Sequence, residues 1–81
     1  MSYNKDVKNL FASRLSSLLA EYKLSKRKLA SLLGISAASI SDWTNGKIQP
    51  TAENIYLVAE YFHVSADYLL GLEGEDGSKN Y

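Results

Sequence analysis

Cysteine is absent from this 81-residue sequence. Disulfides and thiolate metal sites are therefore excluded. Proline occurs once, at Pro50, and histidine once, at His63. No apolar run is long enough to span a bilayer, and the first residues show no signal-peptide pattern. A soluble, cytoplasmic chain is the expectation. Gly-rich phosphate loops, metal-ligand spacings and paired carboxylates are also missing, so the chain reads as neither an enzyme nor a cofactor or metal protein. His63, between Phe62 and Val64 at a helix end, reads as a capping or packing residue rather than a base or ligand.

Net charge is lacking too: nine basic side chains balance nine acidic ones. That total argues against a polyanion-binding protein, but the distribution argues for one. Residues 1–28 hold seven of the Lys and Arg residues and two of the acids, while residues 29–81 hold two and seven. The chain is expected to be dipolar, although such charges also serve solubility.

What is present is apolar periodicity, with 46% of residues hydrophobic. Val7, Leu10, Phe11, Leu15, Leu18, Leu19 and Tyr22 recur at steps of three and four, predicting a helix from about Asn4 to Tyr22. Ser25 is placed to cap a second helix, Lys26 to Leu33, which Gly34 ends. Ser36 caps a third, Ala37 to about Thr44, with Ile40 and Trp43 inward and Asn45–Gly46 as its stop. After a loop closed by Pro50, Thr51 caps a fourth helix through Phe62. Ser65 caps a short fifth, Ala66 to Leu70, ended by Gly71. An all-α, five-helix domain over residues 1–72 follows, with residues 73–81 as a flexible acidic and polar tail.

Residues Ser25 to Lys47 hold more than a generic helix pair. Two helices crossing steeply need a small residue where their backbones meet, and Ala30 is that residue. The sharp turn four positions later needs no Cβ, and Gly34 stands there. Ile40 and Trp43, three apart, pin the second helix, while Leu29, Leu33 and Ile35 complete the packed side. The stretch LSKRKLASLLGISAASISDWTNGKIQPTAENIYLVAEYFHVSADYLLG resembles the phage-repressor and Cro type of helix-turn-helix domain, from about Leu10 to Gly71. Leu33–Gly34–Ile35–Ser36, Trp43, Asn45–Gly46–Lys47, Pro50 and the closing VSADYLLG carry the likeness. The resemblance implies a compact lambda-repressor-like bundle, a dimer, and operator binding by a transcriptional repressor of phage or mobile-element type.

In that geometry the second motif helix lies in the major groove of double-stranded DNA. Ala37, Ala38, Ser39, Ser41 and Asp42 are then the base-reading candidates. Ser41 can exchange hydrogen bonds with a base edge, Asp42 can accept from a cytosine amino group, and Ala37 and Ala38 can pack on thymine methyls. None is a long donor for a bidentate contact, whereas relatives of this type often carry Arg, Gln or Lys at Ala37, Ala38 and Asp42. Reading by water or DNA shape is the expected compensation. Lys26, Arg27, Asn45 and Lys47 are the phosphate candidates. The expected homodimer surface is the fifth helix and the end of the fourth, through Tyr61, Tyr68, Leu69 and Leu72. The competing reading is a protein-interaction module of the same fold, an antitoxin or anti-repressor, whose acidic second half suits a basic partner.

Overall fold

A computed structural model describes residues 7–73, and their regular structure is a series of five helices: α1 (Val7–Glu21), α2 (Lys26–Leu33), α3 (Ala37–Thr44), α4 (Ala52–Phe62) and α5 (Ala66–Leu70). The expected five-helix architecture is present. The expected start of α1, from Asn4 to Asp6, lies outside the described residues, as does the tail beyond Glu73.

Helices this short must satisfy free N–H and C=O groups at both ends. One solution recurs at every described helix end. The chain turns left-handed at Lys23, Gly34, Gly46, His63 and Gly71, with φ between 53° and 84°. The next N–H then reaches back to the carbonyl five residues earlier: Leu24 to Leu19, Ile35 to Ala30, Lys47 to Asp42, Val64 to Ala59 and Leu72 to Asp67, at 2.8–3.1 Å. This is the Schellman closure. At three of these ends a serine cap follows at once, at Ser25, Ser36 and Ser65, and each Oγ accepts from the N–H three residues on. Thr51 does the same for α4. The segments 23–25, 34–36 and 63–65 are thus one device used three times: a left-handed residue, an apolar residue, a serine cap. Leu24, Ile35 and Val64, the middle residues, pack against the core.

The core is made of Phe11, Leu15, Leu18, Leu19, Leu29, Ala30, Ile40, Trp43, Val58, Phe62 and Leu69. Helix α1 runs through its centre, packing on α3 and α5. The rings of Phe11 and Trp43 meet edge to face at 5.9 Å. Helix α2 packs on α3, and Ala30 of α2 is buried in the core at 3% exposure.

Two expectations need correction. Leu69, assigned to the dimer surface, is fully buried in the monomer: α5 is one turn long, and Leu69 is its anchor. Tyr22, placed on the buried stripe, is 51% exposed because α1 ends at Glu21 and the chain turns away at Lys23. Its ring still meets Phe62 edge-on at 5.0 Å, and its hydroxyl donates to the Phe62 carbonyl at 3.4 Å.

One contact had no sequence signal. Arg14 reaches from α1 across α5, with its guanidinium 4.8 Å from the centre of the Tyr68 ring. Its Nε donates to the Tyr68 carbonyl at 3.2 Å and Nη2 to the Glu73 carbonyl at 3.1 Å. The Ser65 hydroxyl donates to the Glu73 carboxylate at 2.6 Å. Glu73, expected to open the flexible tail, is tied at both backbone and side chain.

The left-handed positions make opposite predictions for two substitutions. Lys23→Gly removes a side chain from a conformation unfavourable for it, and is expected to stabilise the fold by roughly 0.5–1 kcal/mol. Gly71→Ala adds a Cβ in that conformation and drives it into Leu10, costing roughly 2–4 kcal/mol. Urea unfolding of both variants checks this; equal midpoints would remove the junction as a source of stability.

Candidate nucleic-acid interface

Two residues fix how α3 sits. Ile40 and Trp43 are buried, three apart, against α1 and α2. The helix period then dictates what faces away. Ala37 and Ala38 are fully outward, while Ser39, Ser41 and Asp42 stand half-buried along the edges. Among the expected base readers, then, only the two alanines are freely exposed, at the first turn of the helix.

The start of α3 is held by a pair of hydroxyls. Ser36 Oγ accepts from the Ser39 N–H at 3.1 Å. It also donates to Ser39 Oγ at 2.9 Å. Ser39 Oγ keeps its own proton and a second lone pair, so it can still donate or accept one further hydrogen bond. At the other end, Thr44 Oγ1 donates to the Ser41 carbonyl at 3.0 Å and is spent within the helix. The Asp42 carboxylate has no partner among the described residues.

Around this helix stand the cations. Lys26, Arg27 and Lys28 occupy the first turn of α2, exposed, immediately after the Ser25 cap. Ser25 accepts from Lys28 N–H, which leaves the N–H groups of Lys26 and Arg27 without a helical partner. Lys47 is exposed just beyond α3, its position set by the backbone bond to Asp42. Asn45 is exposed at the α3 C-cap. Among the described residues, none of Lys26, Arg27, Lys28 and Lys47 forms an ion pair. Chemically, the motif offers free positive charge and backbone donors at the start of α2 and after α3, and an α3 whose outward side chains are short.

The order α2, tight turn, α3, with a small residue at the crossing and the second helix pinned by Ile40 and Trp43, is a helix-turn-helix arrangement. Residues 15–69 match the family described as Helix-turn-helix. The chain belongs to that family. It is 29% identical over 70 residues to an uncharacterized HTH-type transcriptional regulator, YobD, of Bacillus subtilis, a match covering 86% of this chain. The chain spans 62% of the length of that regulator. Among solved structures it resembles a transcriptional regulator from Listeria innocua, with 34% identity and a TM-score of 0.72, over 80% of this chain and 61% of that one. It also resembles the hydroxypropylphosphonic acid epoxidase of S. wedmorenis, with 27% identity and a TM-score of 0.75, over 91% of this chain but 41% of that one. More than half of the epoxidase thus lies outside the likeness.

Of the other expected surfaces, Tyr61 and Leu72 are each 37% exposed, and Tyr68 is half-buried against the core beneath Arg14. His63 is the left-handed cap of α4, in keeping with its reading as a capping residue. Among the described residues no group of three or more His, Asp or Glu side chains is arranged to hold a metal ion. No described helix is long and apolar enough to cross a membrane.

The hydroxyl pair separates the two roles of Ser36. Ser36→Ala loses the cap and is expected to cost about 1 kcal/mol. Ser36→Asp keeps an acceptor for the Ser39 N–H and should unfold close to wild type. Thermal melts of both variants test this, and an Asp variant as unstable as the Ala variant would show that the cap bond is not what holds the start of α3.

Proposed function

We propose that this chain is a DNA-binding transcriptional regulator that lays α3 in the major groove of double-stranded DNA. The observation that carries the reading is the unpaired Lys26, Arg27 and Lys47 set about the outward face of a helix-turn-helix. Family membership and likeness to two proteins described as transcriptional regulators support it. In this reading Lys26, Arg27, Asn45 and Lys47, with the free N–H groups opening α2, hold phosphates and set the register. Ala37, Ala38, Ser39, Ser41 and Asp42 meet the bases. The two alanines favour thymine methyls, and the Ser39 and Ser41 hydroxyls can donate to or accept from a base edge. The finer assignment is a cytoplasmic repressor of phage or mobile-element type without enzymatic activity. It acts as a homodimer through Tyr61, Tyr68 and Leu72 on palindromic half-sites about 34 Å apart.

Because long bidentate donors are missing, most affinity belongs to phosphate contacts and is strongly salt-dependent. Selection of bound sequences from a random DNA pool tests the proposal directly. A two-fold symmetric consensus is expected. No enrichment, together with no mobility shift at low salt, would overturn it in favour of a protein-interaction module of the same fold. The likeness to part of an epoxidase gives that second reading its support, since there the fold accompanies a larger remainder.

Two variants separate holding from reading. Lys26→Ala should weaken every site about equally and reduce the salt slope by roughly 1. A loss confined to one operator would count against its phosphate role. Ser41→Ala should relax preference at a single base position, and an unchanged selected consensus would remove Ser41 from the reading set.

A further inference from the structure

The half of the molecule away from α3 has a chemistry of its own. From Ile48 to Glu73 there is no Lys or Arg, but there are four carboxylates: Glu53, Glu60, Asp67 and Glu73. Glu73 is engaged by Ser65 and through its backbone by Arg14, and Asp67 has partners within the domain. Glu53 and Glu60, both on α4, meet no cation among the described residues. They recur with Tyr56 and His63 at steps of three and four, so the four share one outward face of α4. All four are exposed, and Tyr56, at 62%, is the most exposed large hydrophobic side chain of the described fold.

This face is also shaped. Tyr56, Ala59, Glu60, His63 and Val64 line a groove of about 270 Å³. Ala59 and Val64 are half-buried and apolar, the Tyr56 ring forms one wall, and the Glu60 carboxylate accepts weakly from the Tyr56 hydroxyl at 3.4 Å. An aromatic face beside an uncompensated carboxylate is the arrangement that attracts a guanidinium or ammonium group. Inside the fold the aromatic half of that pairing is already used, where the Arg14 guanidinium lies 4.8 Å from the centre of the Tyr68 ring.

We propose that the outward face of α4 is a docking surface for a basic segment of a partner protein, with one arginine or lysine side chain seated between Tyr56 and Glu60 and Glu53 drawing its neighbours. Charge complementarity selects this occupant, because α4 and α5 present no positive Lys or Arg of their own. The surface lies on a different helix from the one proposed for DNA: α4 packs chiefly on α5 and α2, whereas α3 packs on α2 and α1. The proposal therefore does not depend on the DNA-binding reading.

The test uses acetylated, amidated hexa-arginine and hexa-glutamate peptides, titrated into the isotopically labelled full chain at physiological salt. Amide signals of Tyr56, Ala59, Glu60 and His63 are expected to move with hexa-arginine and not with hexa-glutamate. Tyr56→Ala should weaken binding roughly five- to tenfold, Tyr56→Phe should retain most of it, and Glu60→Gln should weaken it by a similar factor. Circular dichroism checks that these exposed substitutions leave the helices intact. Shifts spread evenly over Asp67, Glu73 and Asp42 would overturn the proposal by showing diffuse attraction without a groove. Unchanged affinity in Tyr56→Ala would also overturn it. Concentration-dependent broadening of the same signals without any peptide response would assign the face to a second copy of the chain instead.

Discussion

Every helix after α1 is too short to persist alone, at 8, 8, 11 and 5 residues. What the structure depends on is therefore the way helix ends are closed. A left-handed residue lets two backbone N–H groups return to the ending helix, and a serine two positions later begins the next one. Three residues satisfy both ends and allow no slack between helices. That economy fixes the angle between α2 and α3 as much as the packing at Ala30 does. The same closure after Thr44 sets Lys47 at the foot of α3 through its bond to Asp42. Position on the functional surface is thus inherited from backbone hydrogen bonding.

The second constraint is the anchoring of α3. With eight residues and two of them buried against α1 and α2, this helix can face in one direction only. Trp43 against Phe11 settles that direction, and the outward residues are whatever remains. Here the remainder is small: two alanines, three short polar side chains, and a threonine whose hydroxyl is turned onto its own helix. In the proposed DNA-binding reading, a surface of this kind approaches DNA closely, because nothing long holds it off. Close approach favours methyl contact and shape, at the expense of the strong discrimination that bidentate side chains supply.

The fold was legible in the sequence where a residue acts locally. Ser25, Ser36, Thr51 and Ser65 are caps because an extended residue with a short hydroxyl meets the same need wherever a helix starts. The apolar periods of α1, α3 and α4 likewise gave the core. Reading failed where the outcome depends on which neighbour arrives. Leu69 reads as a surface residue, but it is enclosed in the core of the bundle. Tyr22 looked buried until the chain turned at Lys23, a left-handed position that carries no glycine to announce it. Arg14 has no local signal, because nothing nearby in sequence points to Tyr68 or Glu73. For the candidate interface, the register of α3 was legible because Ile40 and Trp43 fix it. The pairing of Ser36 with Ser39 was not, since it is a choice of rotamers among hydroxyls.

A net charge of zero hides a division of labour. In the described residues, positive charge without an ion-pair partner lies at Lys8, Lys23, the start of α2 and Lys47, while Arg14 is engaged in holding α5. Arg14 keeps its charge while half-buried across α5, so it sets one cation beside Tyr68 and Glu73, whereas α4 itself carries carboxylates and no Lys or Arg. A domain polarised in this way is turned toward a polyanion before contact, because its field orients it at distances where no hydrogen bond acts. In the proposed DNA-binding reading that field turns the cations of α2 and Lys47 toward the polyanion, and the acidic α4 face is left for a partner of the opposite charge.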